Sequence, residues 1–231
     1  MRLLFTALAF LIATHFYCQT VYTADQVIFD EDAALFLDKS SNLPITGQLI
    51  FRHENGQLRA EKNLKNGLPE GASRVYYASG QLQEEVNYKN GLTNGSVTHY
   101  YKNGQLQSEM NFKNDLLHGV WIEYDENGQI EIETNYKNDL ADGSSRYYYA
   151  NGQLKEEANY KNGQADGSAS YYYKNGQLQS EVNYKNDLRD GSSRYYYENG
   201  QLAEEVNYKN GLKVGVSKCW DVDGTSIPCE D

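Results

Sequence analysis

From residue 57 to residue 208 the chain alternates between apolar and polar positions in a short, recurring rhythm. In the segment QLAEEVNY, residues 201–208, Leu202, Val206 and Tyr208 fall on one side and Gln201, Glu205 and Asn207 on the other. This period of two predicts a β-strand with one packed and one wet face. The same series returns as Leu82, Val86 and Tyr88. The leucine slot is filled by Leu58, Leu82, Leu106, Ile130, Leu154, Leu178 and Leu202, and the glutamate slot by Glu61, Glu85, Glu109, Glu133, Glu157, Glu181 and Glu205. An aromatic-rich run such as Tyr195-Tyr196-Tyr197 precedes each segment and predicts a second strand.

Turn signals separate the strands. Asn199-Gly200 stands between the two strands of one unit, and Lys209-Asn210-Gly211 closes it. Asn-Gly between alternating segments marks a hairpin, because both residues tolerate positive φ. The second turn keeps Asn at 66, 90, 114, 138, 162, 186 and 210, followed by Gly or Asp, as a tight turn requires. Glycines recur every 24 residues in one series from Gly47 to Gly215 and in another from Gly56 to Gly224; a third, partial series (Gly67, Gly91, Gly163, Gly211) alternates with Asp115, Asp139 and Asp187. All 20 glycines lie in these phases, so the chain is a repeat array without insertions. Proline is absent from residue 70 to residue 227, consistent with an unbroken hydrogen-bonded ladder. The expected fold is all-β, an elongated single-layer antiparallel β-meander of tandem 24-residue hairpins. Roughly fifteen strands at about 4.8 Å each would extend about 70 Å.

One register is left open. A two-residue Asn-Gly loop puts Arg74 opposite Glu85, Arg146 opposite Glu157 and Arg194 opposite Glu205. A three-residue loop ending in Gly puts Tyr196 opposite Leu202 and Tyr148 opposite Leu154, and builds the more coherent apolar face. A one-residue slip moves every side chain to the other face.

Composition changes the picture in two ways. The chain has 21 Tyr and only 39% apolar residues, too little for a conventional dry core, and its net charge of −11 disfavours nucleic acid and anionic lipid. At the N-terminus, Met1-Arg2, the apolar run from Leu3 to Ala13 and a polar exit match a secretory signal peptide rather than a membrane span. Export to the periplasm, the cell envelope or the medium follows, and a lipid anchor at Cys18 would be the only membrane contact, although Tyr17 is not the small residue a lipobox wants. The expected organisation is a signal peptide at 1–20, a lead-in at 21–46, seven repeats at 47–214 and a capping hairpin at 215–231. Within that hairpin Cys219 and Cys229 are near-opposite positions and are expected to form a disulfide, while Pro228 discourages further edge pairing.

Units of the form YYYxNGQLxxExNYKNGxxxG resemble the variant MORN repeats of the bacterial YwqK-type proteins. The resemblance covers about residues 33–224, with Leu35-Phe36-Leu37 through Ile45-Thr46-Gly47 similar to the short strand that leads into the first repeat of that family. It implies a non-catalytic repeat scaffold, and for the YwqK-type members an antitoxin role. Members often carry Trp two residues after the first glycine; here that slot holds Leu49, Ser73, Val97, Trp121, Ser145, Ala169, Ser193 and Ser217.

No cofactor, metal or catalytic residue is expected. Copies of one residue set about 9–10 Å apart do not converge on one centre, and calcium ligands must lie about 2.3–2.6 Å from the ion. His53, His99 and His118 have no recurring acid or nucleophile beside them. The expected binding strip is aromatic: Tyr76, Tyr77, Tyr100, Tyr101, Tyr124, Tyr147, Tyr148, Tyr149, Tyr171, Tyr172, Tyr173, Tyr195, Tyr196 and Tyr197. Three consecutive tyrosines cannot all point inward, so one row is expected to face outward and bind a protein partner. A toxin is one such partner, and a glycan or cell-envelope ligand is the remaining alternative.

Overall fold

The computed structural model describes residues 19–229. The signal segment and the Cys18 anchor site therefore lie outside the described residues. The chain forms one open sheet that runs as a meander from end to end, with a second, two-stranded sheet near its N-terminus. The lead-in contributes β1 (Val21–Thr23), a short 3-10 turn, β2 (Val27–Asp30) and β3 (Leu35–Asp38), and β4 (Gly47–Arg52) opens the array. Each repeat then supplies a first and a second strand: β5 (Leu58–Lys65) and β6 (Leu68–Tyr76), β7 (Leu82–Lys89) and β8 (Leu92–Tyr100), then β9 (Leu106–Lys113) with β10 (Leu116–Leu117) and β11 (Gly119–Tyr124). The series continues as β12 (Ile130–Lys137) and β13 (Leu140–Tyr148), β14 (Leu154–Lys161) and β15 (Gln164–Tyr172), β16 (Leu178–Lys185) and β17 (Leu188–Tyr196), β18 (Leu202–Lys209) and β19 (Leu212–Trp220), and closes with β20 (Ser226–Ile227). The large sheet counts 18 strands rather than about fifteen. The lead-in adds β1, the last hairpin adds β20, and His118 divides one strand into β10 and β11.

The open register resolves into both alternatives at once. Tyr197 N–H donates to the Gln201 carbonyl at 2.9 Å, which makes Glu198-Asn199-Gly200 a three-residue loop. Tyr196 then faces Leu202. A β-bulge at Ala203 follows, and beyond it Tyr195 faces Glu204 and Arg194 faces Glu205, the pairing of the two-residue loop. The same shift occurs in the other units, between Val75 and Tyr76 and between Tyr147 and Tyr148. An extra residue on one strand reverses the alternation beyond it. Leu202 therefore shares a face with Tyr196, Arg194 and Glu205, and not with Val206 and Tyr208 as the plain period of two suggests.

The second turn is a tight two-residue loop, with Asn210 at φ 49° and Gly211 at φ 79° between the facing residues Lys209 and Leu212, as a type I′ hairpin requires. The first-series glycines Gly71, Gly95, Gly119, Gly143, Gly167 and Gly191 fall in neither turn. Between the Val182–Ser193 and Tyr184–Arg189 pairs, the single residue Asn183 faces the three residues Asp190, Gly191 and Ser192. The Asn183 amide donates to the Ser192 carbonyl at 2.9 Å and closes this wide bulge. The ladder is thus regularly interrupted, not unbroken, and it admits one parallel pair, β1 with β4.

The buried row runs across the strands. Thr134, Ser145, Ala158, Ala169, Val182, Ser193 and Val206 face one another in succession, and from Ala158 to Val206 their exposure is 4% or less. The family's tryptophan slot lies in this row. Small side chains stay dry in a single layer because aromatic rows stand on both sides of them on the same face: Tyr195 on one side, Tyr208 on the other. At the one retained tryptophan, the Trp121 and Tyr136 rings lie 5.7 Å apart.

A conventional core exists at the N-terminal end, where Ile45, Leu49 and Leu64 pack with Tyr22, Val27, Phe36 and Phe51. Leu35-Phe36-Leu37, expected as the strand leading into the array, lies instead in β3, paired with β2 apart from the large sheet. It docks on the first tight turn through Phe36 N–H to the Gly67 carbonyl, 2.9 Å.

Candidate functional site

The bulge and the three-residue loop sort the candidate tyrosines into three rows. Tyr147, Tyr171 and Tyr195 stand on the face of the buried row, next to it. Burial pushes the Tyr171 hydroxyl well above the ordinary tyrosine value, with the Glu156 charge adding to it. Tyr76, Tyr100, Tyr124, Tyr148, Tyr172 and Tyr196 face the opposite side. All three rows are half-buried, so none is a bare aromatic surface.

The third row holds the array together. Tyr77, Tyr101, Tyr149, Tyr173 and Tyr197 each donate the hydroxyl to a backbone carbonyl of the next repeat, 23 residues on, at 2.7–3.0 Å. His53 reaches the Tyr76 carbonyl from the same slot, Nε2 to O 2.9 Å. The tight turns are joined as well. Asp187 N–H donates to the Ala165 carbonyl at 3.0 Å, and Ala165 N–H returns to the Asp187 carboxylate at 2.7 Å.

The second tyrosine row borders a ladder of facing charges. Glu61, Arg74 and Glu85 stand in line, as do Glu133, Arg146 and Glu157, and Glu181, Arg194, Glu205 and Lys218. Arg146 meets Glu157 at 2.7 Å and Glu133 at 3.6 Å. The Glu157 carboxylate raises the guanidinium above its ordinary value, first by hydrogen bonding and then by charge. Tyr76 donates its hydroxyl to Glu61 at 2.9 Å, tying the tyrosine row to the ladder. Such partly exposed pairs contribute little energy each; their effect is a face of fixed charge and aromatic area.

The repeats are least alike between Val97 and Asp125. Thr98 and Ile122 replace arginine in the ladder, Asp125 replaces the third-row tyrosine, and His99 and Glu123 replace the first-row aromatic. At His99, outside any recurring pattern, an acid and a hydroxyl do stand beside a histidine. Glu84 and Ser108 face it from the two adjacent strands, with Nδ1 to Ser108 Oγ 2.9 Å and Nε2 to Glu84 3.7 Å. Sequence reasoning missed this row because its members lie 15 and 9 residues apart, on strands whose register depends on the bulge. Ser108 is buried and faces a further carboxylate, Glu123, a poor setting for an oxyanion.

Among the described residues no group of three His, Cys, Asp or Glu side chains could hold a metal ion. Cys219 and Cys229 are joined in a disulfide, with Cα atoms 5.3 Å apart, across the terminal hairpin in which Cys219 faces Ile227 and Trp220 faces Ser226.

No curated protein matches the chain. Among solved structures, the crystal structure of TcdB2-TccC3-Cdc42 is similar at 13% identity over 84% of this chain and 14% of that one, with a TM-score of 0.18. This chain thus spans about a seventh of that chain's length. The family of the MORN repeat variant matches residues 45–66, 69–90, 93–114, 117–138, 141–162, 165–186 and 189–210. Each match runs from the wide bulge or its approach, through both strands, to the Asn of the tight turn. The chain belongs to the MORN repeat variant family.

Proposed function

We propose that this protein is a non-enzymatic, exported scaffold that binds a protein partner along the face carrying the second tyrosine row and the charge ladder. The observation that supports it most directly is the alignment of Tyr76, Tyr100, Tyr124, Tyr148, Tyr172 and Tyr196 beside the facing Glu and Arg residues of the same sheet surface. Tyrosine offers rigid amphipathic contact area at low entropic cost, and the regular charges fix register and partner choice. The first row serves the buried row and the third clamps the repeats, which leaves the second row for contact. Export is supported by the apolar N-terminal run and by a disulfide at the far end of the chain.

The antitoxin role of YwqK-type proteins is the special case in which the partner is a toxin, and it rests on repeat resemblance alone. Glycan binding is disfavoured by the presence of only two tryptophans. Purification of partners from native cell envelope, with the full chain and with a Tyr148→Ser/Tyr172→Ser/Tyr196→Ser variant in parallel, tests the proposal. Loss of one stoichiometric protein from the variant supports the strip. Equal recovery by both removes it, and retention on polysaccharide resin instead would favour a glycan ligand.

A further inference from the structure

The charge ladder lacks a cation at Thr98, Ile122 and Ser170, and the first two flank the same carboxylate. Along it, Glu61 and Glu85 face Arg74, Glu133 and Glu157 face Arg146, and Glu181 and Glu205 face Arg194. Glu109 faces Thr98 on one side and Ile122 on the other. Among the described residues the ladder's ion pairs engage Glu61, Glu85, Glu133, Glu157 and Glu205; Glu181 and Glu109 take part in none, but Glu181 still faces Arg194 across the strands. Among these ladder glutamates, Glu109 is the one with no cationic residue facing it from either adjacent strand.

Its surroundings suit a guest cation. Ile122 offers apolar surface to an aliphatic stem. Tyr100 and Tyr124, in the neighbouring row on the same face, offer ring area to a planar guanidinium. Burial raises the Tyr124 hydroxyl, and the charges of Glu109 and Glu133 add to the shift, so both carboxylates act on this spot. The chain's net charge of −11 favours a basic partner at longer range. Identical repeats cannot point a partner to one place; a vacant rung can.

We propose that Glu109 receives an arginine or lysine side chain from the protein partner, which fills the rung that Thr98 and Ile122 leave without a cation. This rests on the protein-binding reading of the same face and adds the chemistry and the position of the contact.

The test uses a phage-displayed library of random twelve-residue peptides, panned on the immobilised full chain, and the best peptide made synthetically. Thr98→Arg supplies the missing cation internally, in a slot where Arg74 already folds, and Glu109→Gln removes the charge without changing shape. Circular dichroism checks that both variants fold. The selected peptides are expected to carry a basic residue. Either variant is expected to weaken binding of the synthetic peptide by roughly tenfold or more, as for one desolvated charge pair. Arg→Gln or Lys→Gln in that peptide should cost affinity on the unaltered chain and little on Glu109→Gln. Equal binding to all three proteins overturns the Glu109 site while leaving the protein-binding face in place. Failure to enrich any peptide overturns both.

Discussion

Gly143 and Asn135 occupy one another's space: a Cβ on Gly143 would lie 3.1 Å from the Asn135 Cβ, while the Asn135 amide donates to the Ser144 carbonyl at 2.9 Å. The asparagine closes the wide bulge, and a Cβ on Gly143 would push it back by a few tenths of an ångström. Gly143 also has φ +116°, a conformation L side chains rarely adopt. Gly143→Ala should therefore destabilise the fold by about 1–3 kcal/mol, read as a lower urea midpoint at unchanged slope.

The clamp from one repeat to the next can be weakened by a single oxygen. Tyr173→Phe removes the 2.8 Å bond from its hydroxyl to the Tyr196 carbonyl and leaves the ring in place. A loss of about 0.5–1.5 kcal/mol is expected. Faster amide exchange confined to the two repeats that meet there would identify the clamp, and unaltered exchange would refute it.

At the tight turn, Asp187 holds φ 67° and accepts from Ala165 N–H. Asp187→Ala loses the acceptor and adds strain in the left-handed region, for a cost of about 1–2 kcal/mol. Asp187→Gly, which restores what Gly163 and Gly211 have at the same slot, should cost less than Asp187→Ala. Thermal unfolding of the pair decides the ranking.

The lead-in hairpin should weaken in strong acid. Asp38 accepts hydrogen bonds from the Ser40 hydroxyl and from the backbone and hydroxyl of Ser41, which hold its carboxyl down at about 2. A carboxyl lowered in the folded state stabilises above its ordinary value of 3.8 and loses that contribution as pH falls toward about 2. Amide signals of residues 38–41 should shift and exchange faster in that window. A flat response between pH 4 and about 2 would be against it.

Reduction of Cys219–Cys229 should free β20, which pairs with β19 at two positions only. Protection is expected to fall at Ser226 and Ile227 while β18 keeps its own. Intact mass should rise by two hydrogens on reduction.

Much of this architecture was legible in the residues. The glycine spacing gives the repeat, and Asn-Gly or Asn-Asp gives the tight turns, because few other pairs accept positive φ twice. The face of Leu202 was not legible. Its i, i+4 relation to Val206 suggests one surface, but the bulge slot holds Arg59, Gln83, Gln107, Glu131, Lys155, Gln179 and Ala203, residues with no shared signature. A hint was present in the two registers. Arg194 opposite Glu205 and Tyr196 opposite Leu202 are each good pairs, and only an extra residue between them satisfies both. The three tyrosine roles follow from that residue and were hidden with it. Glu109 was visible as one member of a series; its isolation required knowing which strands flank it.

The clamps run from each repeat only to its neighbour, through hydroxyls and turn carboxylates that reach 22 or 23 residues along the chain. Stability should therefore grow as a sum of units and their junctions, as in a one-dimensional lattice. Excision of one whole 24-residue block would then shorten the protein without a misfit at the seam. Under force the chain should peel apart in equal steps, and the first to go should start at β19, where Leu212 and Val216 are 72% and 92% exposed.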